Sequence, residues 1–245
     1  MKNKKKSMSF IDHLEELRWR IIKCLCSMIV GGLITFLFID FFLDVLLQPL
    51  LNIDSDESVN IQVLSVQGMF IIKWSIALIG GFVLSIPIIT YQLWVFIAPG
   101  LYQKEKNFVT PLVLFSFLSF IIGILFSYFI LIPYSLEFFI SLSGERVLNN
   151  FSINYYFNFI TWMLLGAGLV FQLPVISFLL SVIGLLTPPF MRHYRRHSIV
   201  VIFVLSSFIT PPDPVSMVLM AFPLVLLYEI SIGISWLTTS RAKLD

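Results

Sequence analysis

The chain has 245 residues, 58% of them hydrophobic and 12% charged, with 25 Phe and a mean hydropathy of +0.94. A soluble domain carries about 25% charged residues, so this apolar surface exceeds what one water-facing domain buries, and lipid must serve as solvent. Soluble, disordered and collagen-like classes are excluded, and a net charge of +2 gives no case for nucleic-acid binding.

The N-terminus carries Lys2, Lys4, Lys5 and Lys6, followed by the charged stretch Asp12 to Lys23 before any long apolar run. A secretory signal places its apolar segment directly after the basic one, so this start is expected to be retained as a cytoplasmic anchor. Ser9 with Asp12 matches a capping box, and Phe10, Leu14, Leu17 and Ile21 recur at helical spacing. The pattern predicts a helix that starts near Ser9, lies in the membrane interface and runs into the first span. On it Glu16 and Arg20 are i, i+4, and Glu15 and Arg18 are i, i+3. Such pairs are worth a few tenths of a kcal/mol, and the spacing fits a solvated helix face as well as a binding surface. Cys24 and Cys26, two apart, form neither a CxxC pair nor a disulfide framework.

A crossing helix needs about 20 predominantly apolar residues. Six runs qualify as spans within a single membrane domain covering 1–245: 21–42, 69–93, 108–132, 155–186, 198–210 and 215–236. The expected fold is therefore an all-α integral membrane protein of six transmembrane helices. The alternating ten-residue segments of a transmembrane barrel do not occur. The fifth run is short, roughly 20 Å at 1.5 Å per residue against about 30 Å of hydrocarbon. In the sixth, Pro223 interrupts and Glu229 brings in a charge early. Pro87, Pro174 and Pro223 lie inside spans two, four and six, where each removes a backbone hydrogen bond and is expected to bend its helix. Three bent helices beside two short ones point to a concave wall. Thr-Pro-Pro occurs at Thr187 and again at Thr210, which reads as capping chemistry without an internal repeat.

Lys and Arg are retained on the cytoplasmic side. With both ends inside, Lys2, Lys4, Lys5, Lys6, Arg18, Arg20, Lys23, Lys104, Lys106, Arg192, Arg195, Arg196, Arg241 and Lys243 all fall inside, and only Lys73 and Arg146 fall outside. The expected topology is N-in, C-in.

Between spans two and three, Tyr91 to Lys106 holds the turn signal Pro99-Gly100 and the aromatics Trp94, Phe96 and Tyr102, suited to headgroup depth. Its one carboxylate, Glu105, lies between Lys104 and Lys106, which could simply neutralise it. Gln172 is a polar group in an apolar run, and Glu229 is a charge within a span. Each must face protein or water, and interhelical bonding and direct function both satisfy that demand. No HExxH, GxSxG or Walker-type loop occurs. His193 and His197 are i, i+4 but sit among Arg192, Arg195 and Arg196, which would repel a metal ion. No enzyme activity, metal or cofactor is expected.

In order and spacing, His13-Leu14-Glu15-Glu16-Leu17-Arg18-Trp19-Arg20, Phe96-Ile97-Ala98-Pro99-Gly100-Leu101-Tyr102 with Glu105, Gly123, Phe126, Tyr128, Phe129, Pro133, Phe171-Gln172-Leu173-Pro174, Thr210-Pro211-Pro212-Asp213 and Tyr228-Glu229-Ile230 resemble the TatC family, the multispan core subunit of the twin-arginine protein translocase. The resemblance implies a glove-like concave fold and a receptor for export signals that carry two adjacent arginines on already folded precursors. Carried onto this sequence, it makes Glu16, Arg18, Phe96, Tyr102, Glu105 and Gln172 the signal-binding positions, Glu16 and Glu105 engaging the arginines. Pro49, Asp213, Met217 and Glu229 become partner-subunit contacts or structural positions. The implied partners are the signal peptides, small single-span TatA-like and TatB-like subunits recruited to the short last spans, further copies of the chain and the lipid of a cell inner membrane, with transport driven by the proton gradient. Gln172 stands where the family often has Glu, and Met217 where it often has Gln. The alternative reading is a proton-coupled small-solute transporter using Glu229. A third is a scaffold for other membrane subunits, in which changes at the rim carboxylates are silent.

Overall fold

The computed structural model describes residues 10–53, 60–97, 109–143, 150–182, 184–211 and 213–242. In chain order these form α1 (Phe10–Leu37), α2 (Ile39–Leu51), β1 (Asn60–Gln62), α3 (Gly68–Ile97), α4 (Val109–Phe126), a π-helical turn (Ser127–Leu131), α5 (Ile132–Ser143), β2 (Asn150–Ser152), α6 (Ile153–Val170), α7 (Leu173–Val182), α8 (Pro188–His193), α9 (Arg195–Ile209) and α10 (Pro214–Ala242). Among the described residues, five stretches are long and apolar enough to cross a membrane: His13–Leu37, Gly68–Phe96, Pro111–Leu142, Ile153–Ser181 and Pro214–Trp236. With 15 residues, α9 reaches roughly 22 Å, less than the hydrocarbon core.

Helix ends follow backbone chemistry more closely than hydropathy. The amphipathic segment at the start and the first apolar run are one helix, since α1 continues for 28 residues and the path breaks only at Phe38, before α2. The third apolar run does not stop at Ile132. Pro133 has no N–H for the Phe129 carbonyl, and its ring would collide with that carbonyl in a regular α-turn. The chain widens to a π-turn, in which the Ile132 N–H reaches Ser127 O, and helix resumes through Ser143.

Of the three prolines expected to bend spans, Pro87 and Pro223 lie within α3 and α10, both of which continue past them. Only at Pro174 is the helical path interrupted, Phe171 and Gln172 forming a turn between α6 and α7. A short strand pair adds to the all-helical expectation: β1 and β2 lie parallel, Asn60 opposite Asn150 and Gln62 opposite Ser152. Three-residue strands carry no periodicity from which they could be read.

Two seams of small residues set the helix spacing. Along α1 and α3, a Cβ on Gly31 would lie 2.9 Å from Gly81 O, one on Gly81 would lie 2.6 Å from Gly32 N, and one on Gly80 would collide with Thr35. Along α4 and α6, a Cβ on Gly123 would lie 2.8 Å from Ala167 O. Lipid gives apolar faces little reason to associate, so close backbone approach through small residues is what holds such helices together. The core then gathers Leu50, Leu131, Ile132, Ile160, Met163, Met220 and Leu224, all fully buried, between α2, the π-turn, α5, α6 and α10.

Candidate functional site

At the rim where α1 begins and α3 ends, the i, i+4 spacing on α1 puts Glu16 and Arg20 on one face, turned toward α3. Two nitrogens of Arg20 donate to one Glu16 oxygen: Nε to Oε1 at 3.2 Å, and Nη2 to the same atom in a closer contact. The guanidinium extends across to α3, where Nη1 donates to Gln92 Oε1 at 3.2 Å and Nη2 to Val95 O at 3.3 Å. The Glu16–Arg20 spacing, indistinguishable in sequence from a solvated face, is therefore part of a bridge between two helices, with side chains 21% and 15% exposed. The other Glu16 oxygen, Oε2, is buried and has no hydrogen-bond partner among the described residues. His13 Nδ1 lies 3.6 Å from it. The His13 ring is itself stacked on Phe96, with centroids 4.3 Å apart and planes 11° from parallel.

Of the sequence-derived signal-binding residues, Glu16 and Phe96 are thus brought to one place, joined through His13. Arg18 is exposed, its guanidinium 5.7 Å from the Trp19 ring centroid. Tyr102 and Glu105 lie outside the described residues, as does Ser9 of the expected capping box. Gln92 and Val95 were not singled out by sequence reasoning. The one signal for Gln92 was an amide at the end of an apolar run.

Gln172 sits in the turn that Pro174 forces between α6 and α7, and both ends of its amide are engaged by α4. Nε2 donates to Ser116 O at 3.0 Å, and Ser116 Oγ donates to Oε1 at 2.6 Å. Thr90 of α3 continues the chain to the Ser116 hydroxyl at 3.0 Å. The geometry is that of interhelical bonding among α3, α4 and the α6–α7 turn. Below it, toward the rim, buried Trp94 packs with Leu112, Val175 and Phe178.

The remaining positions have local explanations. Pro49, inside α2, leaves the Val45 carbonyl without its helical donor, and the Tyr128 hydroxyl donates to that oxygen at 2.7 Å. Pro49, Tyr128, Pro133 and Glu137 line part of a recess of about 410 Å³. Asp213, 4% exposed, caps α10: Oδ1 accepts from Ser216 N–H at 2.7 Å, and Oδ2 accepts from the Ser216 hydroxyl. Thr210 is the C-cap residue of α9, and its hydroxyl donates back to Ser206 O at 2.8 Å. Met217 is half-buried in the next turn. Glu229 has the partner that a charge in a span demands, Arg195 Nη2 at 2.6 Å, with both side chains nearly half exposed. A carboxylate so paired is no isolated proton site, and the small-solute transporter reading loses the residue on which it rested. Among the described residues, no cluster of three or more His, Cys, Asp or Glu could hold a metal ion.

Residues 12–223 match the family described as Sec-independent protein translocase protein (TatC). The chain is 37% identical over 238 residues to the TatC protein of Aquifex aeolicus, covering 96% of this chain and 98% of that one. It is 35% identical over 232 residues to the TatC protein of Desulforapulum autotrophicum, covering 95% and 86%. The fold superposes on a crystal structure of the twin-arginine translocase receptor TatC with a TM-score of 0.79 at 37% identity, covering 93% of this chain and 99% of that one. A second crystal structure of that receptor, in the detergent DDM, gives 0.81 at 36% identity, covering 91% and 99%. Sequence match, length and fold agree, and the chain belongs to the TatC family.

Proposed function

We propose that this chain is the receptor and core component of a twin-arginine translocase, a part of a transport machine and not an enzyme. The observation that carries the reading is the rim itself: a carboxylate held by Arg20, which is anchored on a second helix, with one oxygen that has no hydrogen-bond partner among the described residues, in a chain that shares family and fold with solved twin-arginine receptors. Fixed carboxylates suit guanidinium groups, whose planar fork and weak hydration Lys does not match.

In this reading both termini face the cytoplasm, as the distribution of Lys and Arg favours, and α9 supplies a sixth, short crossing. The basic start of an export signal docks at Glu16 and at Glu105, beside Phe96 and Tyr102, with Arg18 contributing to the outer edge. The apolar part of the signal then lies along the concave wall toward Gln172. The amide of Gln172, tied to Ser116, serves there to set the shape of that wall. TatA-like and TatB-like single-span subunits join along α9 and α10, with Pro49, Asp213 and Met217 holding the surfaces they meet, and the proton gradient of a cell inner membrane drives passage of the folded precursor.

The test is binding of a fluorescent twin-arginine signal peptide to the full chain in detergent or nanodiscs. Glu105→Gln, or Lys-Lys in place of the signal's arginines, is expected to lower affinity by roughly tenfold or more, as for a lost charge-assisted bond. Unchanged affinity in both cases would remove the docking step and favour a scaffold. Crosslinks from positions 105 and 172 to a stalled precursor give a second, independent check.

A further inference from the structure

Arg20 uses four of the five N–H donors of its guanidinium inside the protein, two on Glu16 Oε1, one on Gln92 and one on the Val95 carbonyl. A counter-ion meant to be displaced by an incoming arginine would be held by Glu16 alone and bathed in solvent. Arg20 is instead 15% exposed and anchored on a second helix, partly through a backbone carbonyl that cannot rotate away. Its effect on Glu16 is asymmetric, because both contacts fall on one oxygen. Among the described residues Oε2 is buried and has no hydrogen-bond donor; His13, stacked on Phe96, lies 3.6 Å away, close enough for an ion pair when protonated but beyond hydrogen-bond reach. A carboxylate oxygen in that state is an acceptor in want of a donor.

On the strength of the receptor reading, we propose that Arg20 is the positioning residue of the signal site: it locks Oε1 of Glu16 and so presents Oε2 as the single acceptor for one guanidinium of the signal. Glu16 then holds its arginine through one oxygen and not through both. Arg18, two residues earlier and so on roughly the opposite face of α1, is exposed beside Trp19. Lys at position 20 would keep the charge but, with donors radiating from one atom, could not join Glu16, Gln92 and Val95 at once.

The experiment is a double-mutant cycle on signal-peptide affinity, using the full chain in nanodiscs with Glu16→Gln, Arg20→Lys and both together. Each single change is expected to lower affinity roughly tenfold, and the double change to be no worse than either, because Glu16 contributes only while Arg20 sets it. Effects that multiply to roughly a hundredfold, or an Arg20→Lys protein that binds as well as the parent, would overturn the assignment. Should Arg20→Lys not fold, Gln92→Leu removes one tether while leaving Arg20 in place. It is expected to weaken binding about threefold and to blunt the effect of Glu16→Gln, and an undiminished Glu16→Gln effect in that background would overturn the assignment equally. Failure of the receptor reading looks different: the parent protein would then bind Arg-Arg and Lys-Lys peptides alike, and Glu16→Gln would be silent.

Discussion

At Val45 the helix has an acceptor without a donor, and a side chain from another helix supplies it. Tyr128→Phe removes that hydroxyl and leaves a backbone carbonyl unpaired, which costs about 1–3 kcal/mol when the group is buried. Pro49→Ala returns an N–H at the right position in α2, so the Tyr128→Phe penalty should shrink in that background. Thermal unfolding of the four proteins in one detergent measures the coupling. The same measurement separates two roles for Asp213. As the cap of α10 it should lose about 1–2 kcal/mol on Asp213→Ala and much less on Asp213→Asn, whose amide oxygen can still accept from Ser216 N–H. A contact made only with partner subunits would leave the isolated chain equally stable in both.

Between elements, the glycine seam of α1 and α3 has no slack. Gly81→Val places a side chain 2.6 Å from Gly32 N, and overpacking of this kind costs about 1–3 kcal/mol. The expected outcome is a lower unfolding temperature together with weaker signal-peptide binding, because Arg20, which holds Glu16 on α1, is itself anchored on Gln92 and Val95 of α3, and prying the helices apart loosens that bridge. Much of this level could be read in advance. Apolar run length gave the helices, proline gave the break before Leu173, and Glu16 and Arg20 stood at bonding distance by spacing alone. Their use was not legible, since i, i+4 charges on a free helix and on one pinned to a neighbour look identical until the neighbour's Gln92 and Val95 are seen. The continuation through Pro133 was hidden for a related reason: a π-turn is one remedy for a missing donor and a helix end is another, and Tyr128, Phe129 and Pro133 are compatible with both. Likewise Gln172 announced a polar contact but not that Ser116 would satisfy it from both sides.

Across the whole molecule, charge pairs tie distant parts without dominating its stability. Lys73 meets Asp40 at 3.0 Å, joining α3 to α2, and Arg195 meets Glu229, joining α9 to α10. Pairs as exposed as the second contribute at most about 1 kcal/mol, so Glu229→Gln is expected to leave both the unfolding temperature and signal binding nearly unchanged, which a solute transporter built on that carboxylate would not tolerate in an uptake assay. The α9–α10 pair is lopsided, 15 residues against 29; α10 also packs on α7, and Ser231, Ile232 and Ser235 beyond Glu229 are buried. With α9 as a crossing, water on the two sides of the bilayer is brought nearer together along that edge by roughly 8 Å, the shortfall of a helix at 1.5 Å per residue against the usual oily layer. In the proposed six-crossing receptor, the energetic hill that a polar polypeptide must climb is lowered along that flank, which gives a precursor reason to travel beside it and none to thread the interior of the chain.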